Sequence, residues 1–220
     1  VGLIAPIHAK YVHGRRVKTL AKHLAALIPQ QASVLDVGSG DGKLARLLLD
    51  IRPDLQLQGV DIMVRPQTQI PVIAYDGTRL PHEDHSVDVV TIIDVLHHTD
   101  DPLSTMREAL RVAKQAVIIK DHTCSGLFGR PILEFMDWVG NARHGVAIPG
   151  NYWTLLQWND AFVQLGTSTT SWKTDLGLYP WWANWLFGHR LHFITSLAPV
   201  TVSTGAVVSS AKLRNALAAE

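Results

Sequence analysis

Cysteine is almost absent: Cys124 stands alone in 220 residues, so no internal disulfide can form, and the chain suits a reducing, cytoplasmic setting. Surplus charge is missing as well. Lys and Arg number 20 against 19 Asp and Glu, which provides no basic field for DNA or RNA and points away from nucleic-acid partners. No apolar run approaches the ~20 residues that span a bilayer, and no charged segment followed by an apolar core suggests a secretory leader. Disorder is excluded by 47% hydrophobic against 18% charged residues. A length of 220 residues suits one domain with a full core.

What is present alternates. Gly14–Leu27 carries Val17, Leu20, Leu24 and Leu27 at helical spacing and stops before Pro29. Ser33–Val37 is a short β-branched run ending in glycines, and Lys43–Asp50 is helical again. Leu55–Val60, Val72–Tyr75, Val87–Ile93 and Ala116–Lys120 read as further strands, with a helix over Leu103–Val112 before the last of them. Strands alternating with helices imply a mostly parallel sheet covered on both faces. Two prolines, Pro66 and Pro71, leave no room for a helix between the second and third strands.

The texture changes at Cys124, and all 7 tryptophans follow residue 137. Thr154 with Gln157 predicts a capping box and a helix to about Leu165. Thr167–Lys173 and Leu191–Leu197 read as a final antiparallel pair, and Leu178–His189 as a loop or short helix. The expected layout is a single α/β domain: an N-terminal helical cap over 1–30, an acceptor-binding insert or lid over 124–153, and a tail over 199–220.

The chemistry concentrates in Val34–Leu44, VLDVGSGDGKL, a strand running into a glycine loop and then a helix. Gly38, Gly40 and Gly42 remove side chains where backbone must approach a ligand. Asp36, Asp61 and Asp76 close three successive strands, all on the carboxyl edge where open α/β sheets hold ligands. Asp61 is placed to accept both hydroxyls of a ribose, with Asp76 beside an adenine. A dinucleotide loop wants G-x-G-x-x-G, but Lys43 holds the place of the third glycine. Asp36 would repel a pyrophosphate, and it suits the ammonium and sulfonium side of S-adenosylmethionine instead.

From Val34 to about Pro102 the chain resembles the class I S-adenosylmethionine-dependent methyltransferases of Rossmann-like fold. The resemblance lies in Leu80-Pro81-His82-Glu83-Asp84-His85-Ser86-Val87-Asp88 and Val95-Leu96-His97-His98-Thr99-Asp100-Asp101-Pro102. It implies a seven-stranded sheet, mostly parallel with an antiparallel last strand. It implies too that Asp36, Gly38, Ser39, Gly40 and Gly42 hold the methionine end, Asp61 and Ile62 the ribose, Asp76 and Gly77 the adenine. Asp94 would pass beneath the sulfonium, and S-adenosylhomocysteine would be the product. The stretch FMDWVGNARHGV, Phe135–Val146, is similar to a bacterial methyltransferase group. The short link between strands two and three departs from the family and would leave the adenine side less covered.

A phenol, carbon acid or amine acceptor also asks for a base. His122 is the first expected base and His97 the second, with His98 close by. A leading helix bearing Tyr11 and Arg16 would reach the donor's carboxylate. Trp138, Arg143, His144 and Tyr152 would line an apolar or aromatic acceptor's site. No metal is expected, because no H-x-x-x-H or carboxylate-rich spacing appears. The partner is thus a small molecule, with peripheral membrane contact through Trp181 and Trp185 as a side possibility. Two other classes fit the fold: a protein that keeps the cofactor without transferring methyl, and a nicotinamide oxidoreductase, which the glycine spacing disfavours.

Overall fold

The computed structural model describes residues 14–124, 129–141, 150–188 and 190–199. In chain order these form α1 (Gly14–Leu27), β1 (Ser33–Val37), α2 (Lys43–Ile51), β2 (Gln56–Asp61), β3 (Val72–Ala74) and β4 (Val87–Ile93). A one-turn 3-10 helix at Leu96–His98 precedes α3 (Pro102–Val112), β5 (Ala113–His122), α4 (Gly129–Asn141) and α5 (Leu155–Gln164). β6 (Thr167–Lys173), α6 (Trp181–Phe187) and β7 (His192–Pro199) complete the order.

One seven-stranded sheet runs β3-β2-β1-β4-β5-β7-β6. The first five strands are parallel, and β7 is antiparallel to both β5 and β6. The strand order reverses beside β1, where β2 lies on one side and β4 on the other. A crevice opens there at the carboxyl edge.

Period-2 alternation sends successive side chains to opposite faces. On one face Leu35, Val90, Ile92, Val117 and Ile119 pack with Met106 and Ala109 of α3 and Trp158 and Phe162 of α5. On the other, Val34, Val89 and Ile118 meet Leu20 and Leu24 of α1, Leu48 of α2 and Ala183 of α6. Both cores are thus read directly from the strand pattern. The capping box at Thr154 and Gln157 is present and opens α5. α3 begins at an Asp101 N-cap that accepts from Ser104 N, with Pro102 in its first turn.

One boundary that matters for the site differs from expectation. β5 does not end at Lys120 but continues to His122, because Asp121 pairs with Phe193 and His122 with His192 of β7. Of the loop or short helix expected after Leu178, the structure has the short helix, α6. No helix among the described residues is long and apolar enough to cross a membrane.

Candidate active site

A crevice of about 290 Å³ lies over the carboxyl ends of β1, β4 and β5. Asp36, Gly38, Ser39 and Lys43 line one wall, and His97, His98, His122 and Asp137 line the other. Arg16 of α1 and Asp94 lie between them.

The first wall follows from the glycine loop. Asp36 is buried, and its Oδ1 accepts the Thr91 hydroxyl at 2.7 Å. Burial pushes its carboxyl up to about 6, against the Thr91 hydrogen bond and with help from the charge of Asp61. Asp61 Oδ2 accepts Gly40 N at 2.8 Å, and Oδ1 accepts Met63 N at 2.8 Å. The acid expected at the ribose therefore also ties the loop's backbone. Gly40 and Gly42 both have left-handed φ values, 59° and 74°, yet their surroundings differ. A Cβ on Gly42 would meet Ile70 Cγ1 at 2.7 Å, whereas on Gly40 it would meet nothing within 4 Å. Gly42 is thus required by packing, and Gly40 presents open backbone.

Asp76, Gly77 and Ile62 lie outside this crevice. Asp76 is exposed, and Thr78 N and Arg79 N donate to its Oδ1 at 2.8 and 3.0 Å, holding its carboxyl low. Ile62 is 68% exposed and sits across from Gly77, where an added Cβ would be 3.2 Å from Ile62 Cγ2. The β2–β3 link has no helix, as Pro66 and Pro71 predict, and leaves Met63 and Val64 exposed as well.

Asp94 directly follows β4 with φ 57°, a strained angle for a non-glycine residue. Arg16 Nη2 donates to its Oδ2 at 2.6 Å, and Lys120 Nζ donates to its Oδ1. Lys120 is fully buried and also lies 3.2 Å from His192 Nδ1. Burial lowers the lysine to about 8, against the pull of Asp94. Arg16 thus reaches the carboxylate of Asp94, on the crevice wall.

The second wall is built on Asp121. It is buried in β5 and accepts Leu96 N at 2.9 Å, His122 N at 2.7 Å and His97 Nδ1 at 2.6 Å. Burial works against its charge, but His97 and these hydrogen bonds hold it far below the carboxylate range. With Nδ1 committed to Asp121, His97 turns Nε2 toward Asp137 Oδ2 of α4, 3.5 Å away. Burial opposes a charge on His97 too, yet Asp121 raises its pKa. Tyr152 is buried and donates its hydroxyl to Asp137 Oδ2. The His98 ring centroid lies 4.0 Å from that of His97.

The two expected bases stand in different surroundings. His122 is the last residue of β5 and almost wholly buried. Burial first, then Lys120 and His97, push it down to about 4. A group that stays neutral so far down is a poor proton acceptor at neutral pH. His97 has an orienting carboxylate on Nδ1, and its Nε2 faces Asp137.

The expected acceptor residues separate. Tyr152 is part of the wall, through Asp137. Trp138 lies on α4 at 62% exposure and tilts against Phe135, 6.3 Å between ring centroids. Trp153 packs on the core beside Trp158. Tyr11, Arg143, His144 and the tail from 200 onward lie outside the described residues, and Trp185 is described only in its backbone. Asp121, Asp137 and Lys120 were not among the expected site residues. The polar triplet Lys120-Asp121-His122 at the end of an apolar strand was the available signal for two of them; Asp137 carried none. The structure also brings His97, His98 and Asp137 together, which the absence of a ligand-spacing motif did not foretell.

Comparison with known proteins adds four findings. Residues 35–119 match the family model described as a methyltransferase domain. The demethylmenaquinone methyltransferase of Renibacterium salmoninarum is 33% identical over 105 residues, 46% of this chain and 44% of that one. The 27-O-demethylrifamycin SV methyltransferase of Amycolatopsis mediterranei is 29% identical over 110 residues, 43% of this chain and 40% of that one. The chain thus spans less than half the length of these curated relatives. Among solved structures, an S-adenosylmethionine-dependent methyltransferase from Mesorhizobium loti superimposes with a TM-score of 0.60 at 16% identity. That match covers 80% of this chain and 96% of the other, and at such identity it speaks for the fold.

Proposed function

We propose that this chain, whose residues 35–119 match a methyltransferase domain and which has the class I S-adenosylmethionine-dependent methyltransferase fold, transfers the methyl group of S-adenosylmethionine to a small apolar or aromatic acceptor. The observation that carries this reading is a crevice with two unlike walls. Its glycine-loop wall has a buried carboxylate, Asp36, suited to the donor's ammonium group, with Gly38 and Ser39 beside it, and Gly40 next along the loop has open space over its backbone. Asp61 and Ile62 continue outward to the ribose, and Asp76 with Gly77 to the adenine. Opposite stands His97, its Nδ1 held by Asp121 and its Nε2 on the acceptor's side.

Methyl transfer from a sulfonium is an in-line displacement in which positive charge is lost, so orientation and exclusion of water supply most of the rate, ~7–11 kcal/mol of barrier. Asp94 is already paired with Arg16 and Lys120, so it shapes the floor of the crevice more than it attracts the donor. His97 meets the acceptor's reacting group and Tyr152 steadies Asp137 behind it. The two curated relatives are named for small organic acceptors, which supports a small molecule here.

The test is calorimetry with S-adenosylmethionine, S-adenosylhomocysteine and NADH in parallel, followed by mass spectrometry of small molecules that co-purify with the protein. Binding of both sulfur compounds and not NADH, with a mass gain of one methylene on an added acceptor, is the expected result. Binding of NADH alone would overturn the reading.

A further inference from the structure

We propose that His97, His98 and Asp137 form a binding site for a divalent first-row transition-metal ion of the zinc or iron(II) kind, at the acceptor wall of the crevice. Two imidazoles and one carboxylate are the donor set such ions favour. The three residues offer donor atoms within 4.8 Å of one another. His97 Nε2 and Asp137 Oδ2 are 3.5 Å apart. Two ligands of one tetrahedral ion, each bonded at ~2.0–2.1 Å, stand roughly 3.3–3.4 Å apart, so the pair needs little adjustment.

The surroundings fit as well. Asp121 holds the Nδ1–H of His97, which leaves a lone pair on Nε2 and makes the carboxylate–histidine–metal arrangement that fixes a ligand's tautomer and direction. An imidazole nitrogen and a carboxylate oxygen that face each other at 3.5 Å share either a proton or a metal ion, and of the two only the metal ion also engages His98. Tyr152 donates to Asp137 Oδ2 and orients the third ligand. His98 Nδ1 is buried without a hydrogen-bond partner, a condition that buried polar atoms seldom keep without reason. The neighbouring group His97, Asp121 and His122 is a weaker candidate. Its His97 and Asp121 atoms are already bonded at 2.6 Å, too close for two ligands of one ion, and Asp121 also serves two backbone N–H groups. All three proposed ligands line the crevice, so the remaining coordination positions would face the acceptor. An acceptor oxygen bound there would be held and polarised, with His97 carrying the ion in place of the acceptor's proton. This role, unlike the binding itself, rests on the methyl-transfer reading.

The protein, stripped with a chelator, is titrated with Co²⁺ and then with competing Zn²⁺, followed by visible absorption and calorimetry. One equivalent of Co²⁺ should bind in the micromolar range or tighter, with visible bands of low-symmetry coordination that Zn²⁺ abolishes. His98→Ala and Asp137→Asn should each weaken binding at least ~10-fold, whereas Asp137→Glu keeps a carboxylate and should retain most of it. His82→Gln, a histidine outside the crevice, should leave it unchanged. Melting curves of each variant establish that it is folded. Absence of binding below millimolar Co²⁺, or equal binding by wild type, His98→Ala and Asp137→Asn, would overturn the site. S-adenosylhomocysteine titrated into the same wild-type sample separates the two readings: loss of that binding alone counts against methyl transfer, and loss of Co²⁺ binding alone against the ion.

Discussion

Asp121 accepts the Nδ1–H of His97 at 2.6 Å while the backbone N–H groups of Leu96 and His122 donate to the same carboxylate at 2.9 and 2.7 Å. One buried side chain thus joins the end of β5, the 3-10 turn after β4 and the ring at the acceptor wall. Asp121→Ala strands two buried N–H groups and frees His97, and should cost ~2–5 kcal/mol of stability. Asp121→Asn keeps one carbonyl oxygen for the backbone and should cost less. Urea denaturation of the two variants checks the order. Equal stability of Asp121→Ala and wild type would mean that the turn does not depend on this carboxylate.

A second expectation concerns pH. Burial, partly offset by the Thr91 hydroxyl and aided by Asp61, raises Asp36 from 3.8 to about 6. An acid whose folded pKa is raised binds its proton more tightly in the folded state. Its contribution to stability is therefore largest at low pH, falls as pH rises from about 4 to about 6, and is constant above. Cofactor binding runs the other way, because the donor's ammonium group needs the carboxylate. S-adenosylhomocysteine should bind roughly tenfold more weakly at pH 5 than at pH 7.5. Asp36→Asn should bind it weakly at both pH values, with an apo melting temperature at pH 7 no lower than wild type. A pH-independent wild-type affinity would remove Asp36 from the ammonium site.

The glycine loop gives a third. Gly40 and Gly42 share left-handed backbone, but only Gly42 is hemmed in, by Ile70. Gly40→Ala should cost ~1–2 kcal/mol from backbone strain alone and abolish S-adenosylhomocysteine binding. Gly42→Ala carries the same strain plus a clash at 2.7 Å, so it should lower the melting temperature more. Unchanged binding by a folded Gly40→Ala protein would show that no ligand approaches this backbone.

The fold was legible because each strand is short, β-branched and bounded by turn residues, and because alternation along β1, β4 and β5 assigns residues to the two faces. The glycine-loop wall of the crevice was legible for a related reason. Asp36, Gly38 and Asp61 lie at strand ends, and strand ends in a parallel sheet share one edge. The histidine wall was harder to read, since its parts come from unlike places. His97 and His98 sit on a turn, Asp121 and His122 inside an extended β5, Asp137 on α4 and Tyr152 beyond it. Spacing motifs register ligands on one element; they are blind to three elements that meet in space. The end of β5 was misplaced because Lys120, Asp121 and His122 look like loop residues. They remain in the strand because β7 pairs with them and because the charges of Lys120 and Asp121 are met by Asp94 and His97.

The last expectation separates two roles for α4. If its aromatics were interior, Trp138→Ala would leave a cavity and cost ~3–5 kcal/mol. The structure places Trp138 at 62% exposure beside Phe135 at 54%, while Leu133, Met136 and Asp137 take the inward face. Leu133 is fully buried, and Asp137 and Met136 line the crevice, so α4 is fixed by one face and shows its aromatics on the other. Trp138→Ala should therefore change stability by no more than ~0.5 kcal/mol, as surface substitutions usually do. Leu133→Ala, on the buried face, should cost ~2–5 kcal/mol. The pair is informative together. A small loss at Trp138 with a raised KM for the acceptor assigns the outer aromatics to a surface that folds over bound substrate. A small loss with unaltered kinetics assigns selection to Met136, Asp137 and Tyr152 on the inner face. A large loss at Trp138 would mean that the helix packs by the opposite face, and would undo the placement of Asp137 beside His97.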